Sequence, residues 1–176
     1  MSTVHQIRRL AADEVRRHAG QLGELLLDAV DDGASLGFLA QLTAQRAQAF
    51  WRGMAQRKDG RAVFVAHDAR GIAGAVMVVP AAAEVQPHRA EIAKLVVHRR
   101  ARGTGLARRL LYAAERHALE SGRWHLSLMT RRGCPAEAMY QRLGWSLAGI
   151  IPADSLAPEG ALCDGAIYYR KLRPGF

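Results

Sequence analysis

Two glycines near the middle of the chain, Gly103 and Gly105, separate a short apolar run from a helical pattern. The apolar run ends at His98, an arginine-rich corner follows, and the helical pattern begins after Gly105. Glycine lets a ligand approach the main chain, and the first N–H groups of a helix face an anion together with the positive end of the helix dipole. The stretch therefore predicts a phosphate-binding turn. Its predicted contact residues are Arg102, Gly103, Thr104, Gly105, Leu106, Ala107 and Arg108.

The glycine spacing excludes the two commonest nucleotide-binding turns. A dinucleotide-binding turn needs GxGxxG and a Walker ATPase needs GxxxxGK[ST], and the sequence contains neither pattern. Arg99 and Arg100 add positive charge beside the turn, so we expect an anion site of a different kind.

The turn must be held by a strand before it and a helix after it. An apolar strand over 89–97 precedes the turn, and Leu106, Leu110 and Ala114 follow at helical spacing. The whole chain reads β-α-α-β-β-β-α-β-α-β-β, which predicts a mixed α/β domain with a central twisted sheet. The predicted elements span residues 3–9, 14–30 (capped by Asp13), 43–58, 61–67, 72–79, 89–97, 106–121, 124–129, 136–143, 145–151 and 166–172, with loops over 80–87 and 152–162.

Length and composition are typical of one globular domain, predicted over residues 1–176. No apolar run is long enough to cross a bilayer, and the N-terminus lacks the apolar segment of a secretory signal. The two cysteines, Cys134 and Cys163, are far apart and neither has a CxxC partner. We therefore expect reduced thiols in a cytoplasmic protein, with neither a disulfide nor a metal site.

The formal net charge of +9 has two functional interpretations beside a solvated arginine-rich surface, which explains most of these residues. A basic surface suits nucleic acid, and it also suits a ligand with several phosphates. The basic residues are spread along the chain and few aromatic residues interleave with them, which favours the second interpretation.

Two motifs resemble the GNAT superfamily of N-acetyltransferases. The acetyl-CoA-binding motif [RQ]-x-x-G-x-[GA] is carried by Arg102, Gly105 and Ala107, and Ala136 to Trp145 resembles the segment A-x-x-x-Y-x-x-x-G-[FW]. The element order is also similar over essentially the whole chain. The resemblance implies a GNAT-like fold with about six to seven strands and about four helices, acetyl-CoA as co-substrate, and the coenzyme A pyrophosphate on the glycine turn.

Three further stretches resemble the tabtoxin-resistance-type subgroup of that superfamily. They are Ala90 to His98, Thr130 to Gly133, and the tail from Gly149 to Gly165. Members of the subgroup carry an aspartate where this chain has Met129, which implies a different substrate or rate here.

Acetyl transfer to an amine requires a base for the ammonium and an acid for the departing thiolate. Glu91 is the candidate base, because period two places it on an apolar strand face where burial would raise its pKa. Pairing with Lys94, His98 or an arginine, or an exposed position at a strand end, would instead give Glu91 no catalytic role, and His67 is a rival base. Tyr140 is the candidate acid through the resemblance, and a core tyrosine is the alternative.

The resemblance also implies where the rest of the substrates lie. Leu95, Val96 and Val97 are expected to offer main-chain groups to the pantetheine arm, with the N–H of Val96 polarising the thioester. Independently of the resemblance, Ser35 and Phe38, and more weakly Trp51, are candidates to contact the acceptor, because the glycine-broken apolar loop Gly33–Leu39 has no evident structural role. The expected partners are acetyl-CoA and a small amine, with neither nucleic acid nor membrane, and pairing into a homodimer is compatible with the fold. An acyl-CoA-binding module without catalysis is the alternative function.

Overall fold

The computed structural model describes residues 5–172, which form a seven-stranded sheet with five α-helices. Residues 3 and 4 of the predicted first strand lie outside this range. None of the described helices is long and apolar enough to cross a membrane. In chain order the elements are β1 (Gln6–Leu10), α1 (Ala12–Arg17), α2 (Ala19–Asp31), α3 (Ala44–Gln56), β2 (Ala62–Asp68), β3 (Gly71–Pro80), β4 (Arg89–Val97), α4 (Leu106–Glu120), β5 (His125–Arg131), α5 (Pro135–Arg142), β6 (Ser146–Leu156) and β7 (Leu162–Lys171), with a 3₁₀ turn over Arg99–Ala101.

The strands lie in the order β1-β2-β3-β4-β5-β7-β6. β4 and β5 run parallel, and the other neighbouring pairs in the described sheet run antiparallel. The predicted mixed α/β sheet is therefore confirmed. A parallel pair needs a crossover connection, and α4 supplies it between β4 and β5.

The predicted helix over 14–30 is two helices that meet at His18. The break lies beside Gly20, whose backbone freedom weakens helical structure at that point. The predicted Asp13 cap is also wrong, because Asp13 lies inside the first turn of α1 and pairs with Arg17. The Glu14 carboxylate accepts the Ala11 N–H at 2.8 Å instead.

The predicted loop over 152–162 is mostly strand. β6 continues to Leu156 and β7 begins at Leu162, with a register shift between Ile151 and Ser155. Ala153 takes a left-handed φ of 50°, and its N–H donates to Asp164 at 3.0 Å. This bulge accommodates Pro152 and lets the strand continue, which a strand propensity argument does not anticipate.

Two apolar cores lie on opposite faces of the sheet. α4 packs so closely on one face that a Cβ on Gly74 in β3 would lie 2.8 Å from Leu110. α2 and α3 cover the other face, around the fully buried Trp51. Alternation along β4 assigns Ala90 and Ile92 to the α4 face. Glu91, which lies between them, therefore faces the α2 and α3 side.

Candidate functional site

The glycine turn presents a row of open main-chain donors at the start of α4. Gly103 and Gly105 have left-handed φ angles of 74° and 75°, and a Cβ at either position would meet no atom within 4 Å. Within the described residues, the N–H groups from 103 to 108 donate no hydrogen bond. They point outward at the positive end of α4, which is the geometry of an anion site.

A cleft of about 640 Å³ opens in front of this turn. Its walls come from the end of β4, the turn and α5. The lining residues are Val97, Ala101, Arg102, Gly103, Gly105, Leu106, Ala107, Arg108, Met139, Arg142 and Leu143. The cleft thus gathers the predicted coenzyme-binding residues except Leu95, Val96 and Thr104. The Thr104 hydroxyl donates to the Ala101 carbonyl at 2.7 Å, so it closes the turn from within.

Aspartates already neutralise most of the arginines at the turn. Arg102 also donates through Nε to the Val97 carbonyl at 3.2 Å, so its side chain lies along the end of β4. Four arginines near the turn, Arg99, Arg100, Arg102 and Arg108, were expected to offer charge to a phosphate. Of these four, Arg108 alone has no carboxylate partner among the described residues. The ion pairs are Arg99 with Asp28 and Asp31, Arg100 with Asp68, and Arg102 with Asp32.

Arg108 and Arg142 are the cations at the cleft without a carboxylate partner among residues 5–172. Both side chains are exposed and flank the cleft from α4 and α5. Sequence reasoning missed Arg142. Met139, Arg142 and Leu143 have the i, i+3, i+4 spacing of one helix face, and that spacing was the available signal.

The strands that frame the cleft share only a short stretch of hydrogen bonding. β4 pairs with β5 from Arg89 to Glu91, opposite His125 to Ser127. Beyond Glu91, β4 remains paired with β3, while β5 remains paired with β7. A gap therefore opens between β4 and β5 and leads towards the glycine turn.

The ladder on the β3 side decides which main-chain groups face this gap. The His98 N–H donates to the Ala73 carbonyl, and Val96 pairs with Ala75. Hydrogen-bonded and non-hydrogen-bonded pairs alternate in an antiparallel ladder, so Val96 directs its main-chain groups at β3. This arrangement disagrees with the expected role of the Val96 N–H. Val97, whose carbonyl already accepts from Arg102, faces the gap instead.

Glu91 lies at the last paired position of β4, where the gap begins. Its side chain is exposed, so the premise that an apolar strand face desolvates it is wrong. The residue faces the α2 and α3 side, but those helices do not cover it. Glu91 does not line the cleft at the turn.

Tyr140 lies on α5 with its ring in the core and 6% of its surface exposed. The ring centroid is 6.0 Å from that of Trp145. Its hydroxyl makes no hydrogen bond within the described chain. Burial raises the pKa of Tyr140, and the nearby Cys134 raises it further. The phenol therefore stays neutral over the physiological range.

Of the residues predicted to contact the acceptor, Ser35 and Phe38 lie in the loop after α2, and Trp51 lies in α3. The Phe38 ring packs edge-on against Phe50 at 5.4 Å, and the Ser35 hydroxyl is buried with no hydrogen-bond partner among residues 5–172. Trp51 belongs to the core: it is fully buried and its indole N–H donates to the Leu22 carbonyl at 2.9 Å. The prediction that Trp51 contacts the acceptor is therefore wrong.

For Lys94 the sequence predicted only a possible pairing with Glu91. Its Nζ donates to the Leu36 carbonyl at 2.7 Å and lies 5.9 Å from the Phe38 ring centroid. A lysine inside an apolar strand was the available signal. The structure joins it to the loop that carries Ser35 and Phe38.

Met129, His67 and Cys134 are three further side chains whose positions bear on the chemistry of the site. Met129, on β5, is 48% exposed. His67 lies on β2, which β3 separates from the gap, so its position does not favour it as a base. Cys134 is a free thiol 3.3 Å from the Thr130 hydroxyl. Within residues 5–172 no group of three or more His, Cys, Asp or Glu side chains is arranged to hold a metal.

A model of the acetyltransferase (GNAT) family matches residues 30–145. The chain belongs to the GNAT family of acetyltransferases. The matched region runs from the end of α2 to Trp145 and so includes the glycine turn, the gap and Tyr140. The tabtoxin-resistance-type subgroup stays a prediction.

Solved structures of GNAT proteins share the fold over nearly the whole chain. A GNAT superfamily phosphinothricin acetyltransferase from Sinorhizobium meliloti, in complex with acetyl-CoA, is 21% identical with a TM-score of 0.77, over 97% of this chain and 90% of that one. An N-acetyltransferase from Staphylococcus aureus Mu50 is 17% identical with a TM-score of 0.78, over 97% and 100% of the two chains. A GNAT acetyltransferase from Streptococcus pneumoniae is 21% identical with a TM-score of 0.76, over 96% and 99%. The predicted GNAT fold is thus confirmed.

The buried Tyr140 phenol predicts a loss of stability at alkaline pH. Folding raises the pKa of Tyr140 above its usual 10.0, so the neutral phenol contributes its full stability below pH 10 and this contribution is lost as the pH rises. Between about pH 10 and about pH 12, the unfolding free energy of the native protein should fall more steeply than that of Tyr140→Phe, by up to about 1.4 kcal/mol per pH unit. Urea unfolding at each pH measures this. A Tyr140→Phe slope equal to the native one would contradict the burial of the phenol.

Proposed function

We propose that the protein transfers the acetyl group of acetyl-CoA directly to the amine of a small, amino-acid-like acceptor. The observation that carries the proposal is the row of open N–H donors at the end of the gap between β4 and β5. Membership of the GNAT family and the acetyl-CoA bound to the Sinorhizobium meliloti protein support this choice of donor. The proposal needs no metal, nucleic acid or membrane. It assigns the protein to the cytoplasm, where its cysteines stay reduced, and allows a homodimer.

The glycine turn would hold the coenzyme A pyrophosphate. Main-chain N–H groups from 103 to 108 are donors that need no side-chain ordering, and the positive end of the α4 dipole favours the phosphate charge. Arg108 and Arg142 add unpaired positive charge on either side. A cleft of about 640 Å³ is within the range of ordinary ligand sites.

The pantetheine arm would enter the gap and take the place of a strand beside β4. Its amide groups can pair with the main chain of Leu95 and Val97, which β5 leaves unpaired, whereas Val96 pairs with β3. Because the ladder turns Val97 towards this gap, its N–H rather than that of Val96 would polarise the thioester carbonyl.

Glu91 would accept the proton that the acceptor ammonium must lose before it attacks the thioester carbon. Its carboxylate is exposed at the opening of the gap, so a water molecule can relay the proton from the amine to Glu91 or to solvent. Attack then gives a tetrahedral adduct whose nitrogen is positively charged. The adduct collapses to the amide as the coenzyme A thiolate departs and the nitrogen releases its extra proton to solvent.

Tyr140 would stabilise the departing thiolate. A thiol has a pKa of about 8.5 and an ordinary phenol one of about 10, and burial raises the pKa of Tyr140 further. Full proton transfer to the sulfur is therefore uphill, whereas a hydrogen bond from the neutral hydroxyl is favourable. We assign Tyr140 this donor role, with protonation completed by solvent after product release.

An acyl-CoA-binding module without useful catalysis is the second candidate function. The feature that favours it is Met129, which lies exposed on β5 at the position where the tabtoxin-resistance-type subgroup carries an aspartate. Such a module would bind coenzyme A at the glycine turn and turn over no amine.

Thiol release from acetyl-CoA with a panel of amines separates these functions. We expect amine-dependent release by the native protein. Tyr140→Phe should lower kcat by about 10²-fold or more with little change in the KM for acetyl-CoA. Glu91→Gln should lower kcat at neutral pH, where the acceptor amine is protonated, and should have less effect as the pH approaches the amine pKa of about 10. Ser146→Ala, at an exposed residue away from the cleft, is the control. Coenzyme A binding without release by any amine would replace the enzyme with the binding module.

The unpaired side chains of Arg108 and Arg142 should strengthen the binding of coenzyme A. Arg108→Ala and Arg142→Ala should each raise the dissociation constant of coenzyme A about tenfold and weaken its dependence on salt, because each removes a charge-assisted contact to phosphate. Calorimetry at two salt concentrations measures this. Arg116→Ala, on the exposed side of α4, is the matched control. Equal affinities in all three variants would contradict the proposed phosphate site.

A further inference from the structure

A bulge in β4 aims Lys94 away from its regular direction. Ala75 pairs with Val96 and Met77 with Ala93, so Lys94 and Leu95 together oppose the single residue between Ala75 and Met77. Lys94 takes a left-handed φ of 51°, which is unfavourable for a residue with a side chain. Bulges of this kind redirect side chains near functional sites.

The bulge places Lys94 on the same face of the sheet as Glu91. Ala90 and Ile92 face α4, so regular alternation would also direct Lys94 at the α4 core. Lys94 instead contacts Leu36 in the loop after α2, on the opposite face. Glu91, at the start of the gap, lies on that same face. The Lys94 ammonium and the Glu91 carboxylate are therefore both on the face of β4 opposite the cleft at the glycine turn.

The positive charge of Lys94 is only partly satisfied. One of its three N–H donors is used, on the Leu36 carbonyl at 2.7 Å, and the Nζ lies 5.9 Å and 5.5 Å from the ring centroids of Phe38 and Phe50. Within residues 5–172 no carboxylate lies within 4 Å of it, whereas the arginines Arg99, Arg100 and Arg102 all have one.

The surroundings of Lys94 therefore favour an added anion. Burial lowers the pKa of Lys94, and the charge of Glu91 opposes that change only in part. A partly desolvated ammonium is stabilised by a counter-ion that also accepts its remaining hydrogen bonds. The neighbouring Ser35 hydroxyl, which is buried without a partner in the described residues, is a further donor in this loop.

We propose that Lys94 is a specificity-determining residue that selects acceptors carrying an acidic group in addition to their amine. This inference rests on the proposed function and assigns Glu91 to the ammonium and Lys94 to the acid of one zwitterionic acceptor. Three strand residues span roughly 10 Å. The spacing favours an acceptor in which several bonds separate the amine from the acid.

Matched pairs of amines test this assignment. Each ω-amino acid of two to six carbons is compared with its own carboxamide, which keeps the amine and removes the negative charge. The native protein should prefer the acid by roughly 10- to 100-fold in kcat/KM, through the acceptor KM. Lys94→Gln, which keeps an N–H donor for the Leu36 carbonyl, should abolish the preference and leave the KM for acetyl-CoA unchanged. Lys94→Arg should restore part of it.

Lys58→Gln makes the same change of charge at an exposed lysine and is the control. A native protein that acetylates acids and carboxamides equally well, or a Lys94→Gln variant that slows both alike, would overturn the assignment while leaving the proposed function in place. Absence of thiol release with every amine would overturn the proposed function. In that case NMR titration of the same pairs decides the role of Lys94: shifts of the 36–38 amides with acids only, lost in Lys94→Gln, would support it, and equal shifts with both would contradict it.

Discussion

The site depends on one constraint, the short pairing between β4 and β5. The two strands share hydrogen bonds from Arg89 to Glu91 and then follow different neighbours. Main-chain groups of β4 beyond Glu91 therefore lack a strand partner on that side. Unpaired main-chain groups are costly unless water or a ligand satisfies them, so the gap is suited to an extended molecule with amide groups. The glycine turn lies where such a molecule would leave the sheet.

Ion pairs tie the segment of the glycine turn to the C-terminal end of α2. Asp28, Asp31 and Asp32 cluster at the C-terminal end of α2, where the helix dipole disfavours negative charge. Arg99 and Arg102 compensate them from the turn. These pairs are mostly exposed, so each contributes little stability. Their effect is geometric: they hold the donor turn against the helix whose following loop carries Ser35 and Phe38.

The turn, the element order and the fold could be predicted because their signals are local. Gly103, Gly105 and the apolar spacing of α4 follow one another in sequence, and Tyr140 lies in a recognisable segment. The errors concern positions fixed by distant partners. The exposure of Glu91 depends on which helices cover β4. The pairing of Arg102 depends on the end of α2. The direction of Lys94 depends on a register shift against β3, which a strand pattern does not reveal.

NMR titration of the labelled protein with acetyl-CoA tests the central claim most directly, because it observes each main-chain N–H. If the glycine turn binds the pyrophosphate and the gap takes the pantetheine arm, the amides of residues 103–108 and of Val97 will shift and saturate together. The amides of the distant strands β1 and β2 will not shift. Saturable binding with shifts confined to other parts of the chain, and none at residues 103–108, would contradict the account.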